Sequence, residues 1–153
     1  MHAVAISRVG AMALASKFSK PHIIISIQEP KDKLIEFSPN KTRLAVLSID
    51  FYDLDYNPSR WGKKETEEIK KQYGHGIFKP KQARTIINFV EEWKDKIDLI
   101  VVHCEAGISR SPGVAAAINK VLTGSDKSIF DNPMYIPNRY IYSTILKEWA
   151  KKK

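Results

Sequence analysis

Two short runs, HIIISIQ (22–28) and IDLIVVH (97–103), constrain the fold of this chain more than any other feature. Both are apolar almost throughout and short, so each reads as a strand covered on both faces. RLAVLSIDF (43–51) reads as another strand and AVAIS (3–7) as a shorter one, with the turn EPKDK after the first run. Helical spacing fills the intervals. In QARTIINFVEEWKD (82–95), Ala83, Ile86, Ile87, Val90 and Trp93 recur on one face. VGAMALASKF (9–18) predicts a short helix. SPGVAAAINKVL (111–122) predicts another, with Ser111 as cap and Pro112 at the first helical position. IYSTILKEW (141–149) places Ile141, Ile145 and Trp149 on one stripe. Strands alternating with helices predict an α/β fold: a central, mostly parallel sheet of about four to five strands flanked by helices.

The 153 residues suit one domain with a real core, spanning 1–153. Residues 54–80 form a polar insertion or lid, with glycine and proline at Pro58, Gly62, Gly74, Gly76 and Pro80 and a helical stretch from Glu65 to Tyr73. The single cysteine forms no intramolecular disulfide. No apolar stretch approaches the roughly 18 residues of a membrane span. The first 22 residues carry no charged head before an apolar block and read as part of the fold. A cytoplasmic protein is the expectation. The net charge of +8 suits an anionic substrate, a nucleic acid or a membrane surface, or only a lysine-rich solvated surface.

The cysteine stands where the last apolar run stops, in VVHCEAGISRS (101–111). Ligands of open α/β sheets bind at the carboxyl ends of strands, and a helix N-terminus holds an anion. Cys104 therefore occupies a place where a thiolate is stabilised and a phosphate can be cradled. Five residues separate it from Arg110, so a loop curled around one tetrahedral anion brings sulfur and guanidinium together. Gly107 lies where the backbone must pass close to the anion or take φ > 0. The Ser111 hydroxyl follows, within reach of the leaving thiolate.

The stretch His103, Cys104, Glu105, Ala106, Gly107, Ile108, Ser109, Arg110, Ser111 resembles the His-Cys-x5-Arg-Ser/Thr signature of the cysteine-dependent tyrosine and dual-specificity phosphatases, more the dual-specificity branch. The resemblance implies Cys104 as nucleophile and Arg110 as transition-state clamp. It makes 105–110 the phosphate-binding loop, with His103 and Ser111 in support. It implies no cofactor and no metal. It also implies an aspartate acid on a loop upstream, following another strand. Asp53 is the first acid beyond the strand at 43–51, with Asp55 and Asp50 as alternatives. The gap from Asp53 to Cys104 exceeds that of typical dual-specificity phosphatases, and the tryptophan-proline-aspartate loop of the classical branch is absent. Glu105 is expected to point outward.

These readings predict a phosphatase acting on phosphorylated proteins or peptides, at phosphotyrosine and also at phosphoserine or phosphothreonine. It is expected to be a monomer needing neither nucleic acid nor membrane. An RNA 5′-triphosphatase, a phosphoinositide phosphatase and a catalytically dead phosphate-binding module are the alternatives. Tyr52, Tyr56, Trp61, Phe78 and Tyr135 are candidate rim aromatics, and the lysines of 63–71 candidate recruiters of acidic phosphopeptides.

Overall fold

The computed structural model describes residues 1–152. The four apolar runs fold as β1 (His2–Ser7), β2 (His22–Gln28), β3 (Arg43–Asp50) and β4 (Leu99–Cys104). Their order is β1-β4-β2-β3, and every neighbouring pair is parallel. The sheet has four strands, at the lower end of the expectation, and is parallel throughout. Hydrophobic pattern explains the order. All seven residues of β2 are buried, as is β4 beyond Leu99, so the unbroken apolar runs take the centre. In β3 half-buried and exposed residues alternate, as on an edge strand with one face to solvent. The other edge, β1, is closed by Asn119, whose amide accepts from the Ala3 N–H (2.7 Å) and donates to the Ala3 carbonyl (2.9 Å).

Seven helices complete the described chain: α1 (Arg8–Leu14), α2 (Pro58–Trp61), α3 (Lys63–Tyr73), α4 (Pro80–Trp93), α5 (Arg110–Thr123), α6 (Lys127–Phe130) and α7 (Arg139–Ala150). α5 packs on β1 and β4, α4 on β3, and α7 on both helices. The predicted inward residues of α4 are buried, with Trp93 half-buried, and Ile141, Ile145 and Trp149 are buried on α7. α4 starts two residues before its expected boundary because Pro80 fits a first helical turn. α1 is shorter than the 9–18 stretch. Ser7 caps it by accepting the Gly10 N–H (3.0 Å), and beyond Leu14 the Asn40 amide takes the Ala15 and Phe18 carbonyls (2.9 Å each). The segment 54–80 carries α2, α3 and a 3₁₀ turn at Gly74–Gly76.

Candidate active site

Parallel pairing brings the carboxyl ends of all four strands to one edge of the sheet. Ser7 is in register with Cys104, Ser26 with His103, and Gln28 with Asp50. The segments that follow these strands therefore meet, where parallel α/β sheets bind ligands.

Cys104 closes β4 and is buried. The chain then turns back on itself through 105–109. The Gly107 N–H points at the Cys104 Sγ (3.3 Å), and the Ser111 Oγ lies 3.2 Å from the same sulfur. The loop and the first turn of the following helix thus each bring a polar group to the sulfur. Gly107 has φ +72°, and a Cβ there would lie 2.6 Å from the Ile6 carbonyl carbon and the Ser7 nitrogen. Only glycine satisfies both constraints, so the loop can press against the end of β1. Glu105 does point outward: its side chain is 65% exposed, 3.7 Å from Arg8. Ala106 and Ile108 are exposed, and Ser109 is half-buried.

Two expectations for the following helix are corrected. It begins at Arg110, with Ser109 in the cap position. Ser111 is no cap: it is fully buried inside the first turn, and Pro112 stands at the third helical residue instead of the first. The helix starts earlier because the Ser109 carbonyl already accepts from the Gly113 N–H (3.0 Å). That shift is what turns the Ser111 hydroxyl toward the sulfur.

Arg110 is 5% exposed. Its Nη1 donates to the Phe51 carbonyl (3.0 Å), and its Nη2 pairs with Glu29 Oε1 (3.1 Å). These contacts fix the guanidinium plane and use two of its five N–H donors. His103 is buried at the base. Its Nδ1 donates to the Cys104 carbonyl (3.2 Å), which can only accept, so Nε2 accepts from the Ser26 hydroxyl (2.6 Å). Burial holds the His103 pKa below its ordinary 6.5, in keeping with this neutral tautomer.

The three aspartates separate clearly. Asp53 is exposed at the mouth of the loop. Its Oδ1 accepts from the Ser109 hydroxyl (2.8 Å) and from the Asn138 amide (2.9 Å). Asp55 lies further out, accepting the Tyr140 N–H (3.1 Å) at the start of α7. Asp50 ends β3, and its carbonyl accepts from Gln82 (2.8 Å). Asp53 is thus the aspartate bonded to the loop itself.

Three residues escaped the sequence reading. Asn138 is buried and ties three parts together: Asp53, the Ser109 carbonyl through its own N–H (3.0 Å), and the Ile141 N–H, which its Oδ1 caps (3.0 Å). Asparagine ahead of a helical stripe is a cap signal, but nothing local ties it to residues 85 positions away. Glu29 shows in the sequence only as the first residue of the turn EPKDK. Ser26 is the one hydroxyl in the isoleucine run of β2, a polar exception that marks its buried histidine partner. Among the rim aromatics, Phe78 is not at the rim: it is buried in the core, edge-on to Phe51 (4.6 Å between centroids). Tyr135 donates to the Ala5 carbonyl (2.8 Å) and lines, with Ile108 and Met134, a cavity of about 500 Å³ beside the loop. Among the described residues no group of three or more His, Cys, Asp or Glu side chains is placed to hold a metal ion. None of the described helices is long and apolar enough to cross a membrane.

A four-stranded parallel sheet flanked by helices, in the order β1-β4-β2-β3, is a fold this chain shares with dual-specificity phosphatases of known structure. Among solved structures, the chain is similar to DUSP15, at 21% identity and TM-score 0.58, over 99% of this chain and 85% of that one. It is similar to human DUSP28 at 14% identity and TM-score 0.58, over 98% and 92%. It is also similar to PTPMT1 at 14% identity and TM-score 0.57, over 99% and 90%. No protein-family model and no curated protein matches the sequence.

Proposed function

We propose that this protein is a metal-independent phosphomonoester hydrolase that works through a cysteinyl-phosphate, with phosphorylated proteins as substrates. One observation carries the reading: the Gly107 N–H and the Ser111 hydroxyl converge on the Cys104 sulfur at the mouth of a loop flanked by Arg110 and Asp53. The phosphatase fold supports it.

In the first step Cys104 Sγ attacks phosphorus. The S–P bond forms as the P–O bond to the leaving group breaks, and the Asp53 carboxyl gives its proton to the departing oxygen. Such proton transfer contributes roughly 10²- to 10⁴-fold. Arg110 and the loop amides of 105–110 hold the equatorial oxygens, so catalysis is mainly positioning and electrostatics. In the second step the Asp53 carboxylate takes a proton from water, whose oxygen attacks phosphorus as the S–P bond breaks. Ser111 then donates to the leaving thiolate. His103 and Ser26 act from below by fixing the Cys104 backbone. No metal or cofactor has a part in this scheme. An acid exposed at the surface, as Asp53 is, suits phosphotyrosine together with phosphoserine and phosphothreonine. A cytoplasmic location fits a thiol that must stay reduced.

The test is hydrolysis of an aryl phosphate with EDTA present, wild type against Cys104→Ser, with vanadate as competitor. The expected result is activity that survives EDTA, is inhibited by vanadate and disappears in Cys104→Ser. Activity retained by Cys104→Ser would refute the scheme. Phosphotyrosine and phosphothreonine peptides then test the substrate class.

A further inference from the structure

Beside Asp53 the surface is cut by a continuous depression. Its inner part, about 350 Å³, is lined by Ser109 and Asp53 and by Asp55 and Arg139. Its outer part, about 500 Å³, shares Asp55 and Arg139 and continues to Arg60 and Lys147. Arg139, Ser143 and Lys147 follow one another at i, i+4 and i+8 on α7, so they form one face of that helix. Arg60 faces them from α2, within the polar segment 54–80. The walls are fixed. Tyr140 donates its hydroxyl to the Phe78 carbonyl (2.6 Å), and Tyr56 packs edge-on to both Tyr140 (5.5 Å) and Trp61 (5.7 Å).

The charges in this groove are unbalanced. Three cations, Arg60, Arg139 and Lys147, face two carboxylates, Asp53, held by Ser109 and Asn138, and Asp55, engaged by the Tyr140 N–H. Five basic side chains elsewhere pair with acids: Arg8 with Glu105, Arg84 and Lys151 with Glu148, Lys94 with Glu91, and Arg110 with Glu29. Among the described residues none of the three groove cations has an acidic partner, and Arg139 has only the Phe130 ring (5.0 Å). Uncommitted cations lining a groove that opens into a phosphate site form a place for a second anion.

We propose that this groove is a substrate subsite, binding an acidic or phosphorylated side chain that flanks the scissile phosphoresidue of a phosphopeptide. The proposal rests on the phosphoprotein reading above and adds the flank that the enzyme selects. From Arg139 to Lys147 is roughly 12 Å along the helix axis at 1.5 Å per residue. An extended peptide covers that length in about three or four residues. Acidic groups within that distance of the phosphoresidue meet the cations in turn. The inserted segment 54–80 thereby gains a role, since α2 supplies the wall opposite α7.

The test uses three peptides carrying the same phosphotyrosine, flanked by glutamates, by one phosphoserine, or by glutamines. The value of kcat/KM is read for wild type and for an Arg60→Gln, Lys147→Gln variant. The readout is the ratio of each anionic peptide to the glutamine peptide, which cancels any change common to all three. Two exposed charge pairs predict a wild-type ratio of about five to ten, falling to about one or two in the variant and in high salt. The phosphoserine arm against the glutamate arm tells which anion the groove prefers. A wild-type ratio near one, or a ratio unchanged in the variant, overturns the subsite while leaving the phosphoprotein reading intact. Turnover of aryl phosphate but of none of the peptides overturns both. An RNA 5′-triphosphate hydrolysed well by wild type and poorly by the variant, without an acidic-peptide preference, assigns the groove to nucleic acid and overturns the peptide occupant.

Discussion

A methyl group at position 107 would meet backbone at two atoms, each 2.6 Å away, while the backbone itself holds φ at +72°. Neither atom belongs to a flexible side chain, so Gly107→Ala must move the loop or β1. The expected cost is about 2–4 kcal/mol of stability, read by urea unfolding, with loss of vanadate binding. Asn138 acts differently. Its amide holds Asp53 and its oxygen caps α7, so Asn138→Ala leaves the acid tethered by the Ser109 hydroxyl alone and costs about 1–3 kcal/mol of stability. A positioning role has its own signature. The fall in kcat/KM should be about tenfold or more for an alkyl phosphate, whose leaving group needs a proton, and small for a nitrophenyl phosphate, whose leaving group does not. An equal fall for both would mean that Asn138 serves structure alone.

β2 and β4 join the core to the site through one polar contact, Ser26 to His103. Burial holds the pKa of His103 below 6.5, and does the same to His22 at the other end of β2. Both are neutral in the native protein, whereas their unfolded counterparts take up protons below pH 6.5. The unfolded state thus binds more protons in that range, so stability rises with pH through it. Stability should be level above about pH 7 and fall as pH drops from 6.5 toward the depressed native values. Urea unfolding at pH 5.5 and 7.5 measures this. His103→Asn should flatten the profile in part; an unchanged profile in a His22→Asn, His103→Asn protein would assign the dependence to carboxylates.

Across the whole molecule, the sequence is most legible where chemistry and structure are contiguous. Cys104 through Ser111 lie on one strand, one turn and one helix, so their mutual geometry follows from local rules. The unbroken apolar runs of β2 and β4 likewise announce central strands, and the 3.6-residue stripes of α4 and α7 announce their buried faces. What stayed hidden depends on distant pairing. Asn138 and Asp53 meet only because α7 starts beside the loop, and Glu29 reaches Arg110 only because parallel strands end together. The boundary of α5 was missed because Ser109 and Ser111 are both good caps locally, and a long-range bond from Asn138 to the Ser109 carbonyl accompanies the earlier start. The same convergence predicts a global effect of a bound oxyanion. At 100 times its Kd, orthovanadate should stabilise the native state by about 2.7 kcal/mol. For a chain of this size that raises Tm by roughly 5–10 °C. In Arg110→Ala the rise should be absent.

The central claim is that phosphate passes through sulfur. Rapid acid quenching of Asp53→Asn after mixing with an aryl phosphate, followed by peptide mass mapping, tests it most directly. Aryl phosphates need little acid assistance in the first step, while the second step lacks its base, so the intermediate should accumulate. The account predicts one phosphoryl group on the peptide containing Cys104, absent from Cys104→Ser. Burst release of the phenol with no phosphoryl group on that peptide, or with one on a serine or histidine, would contradict it.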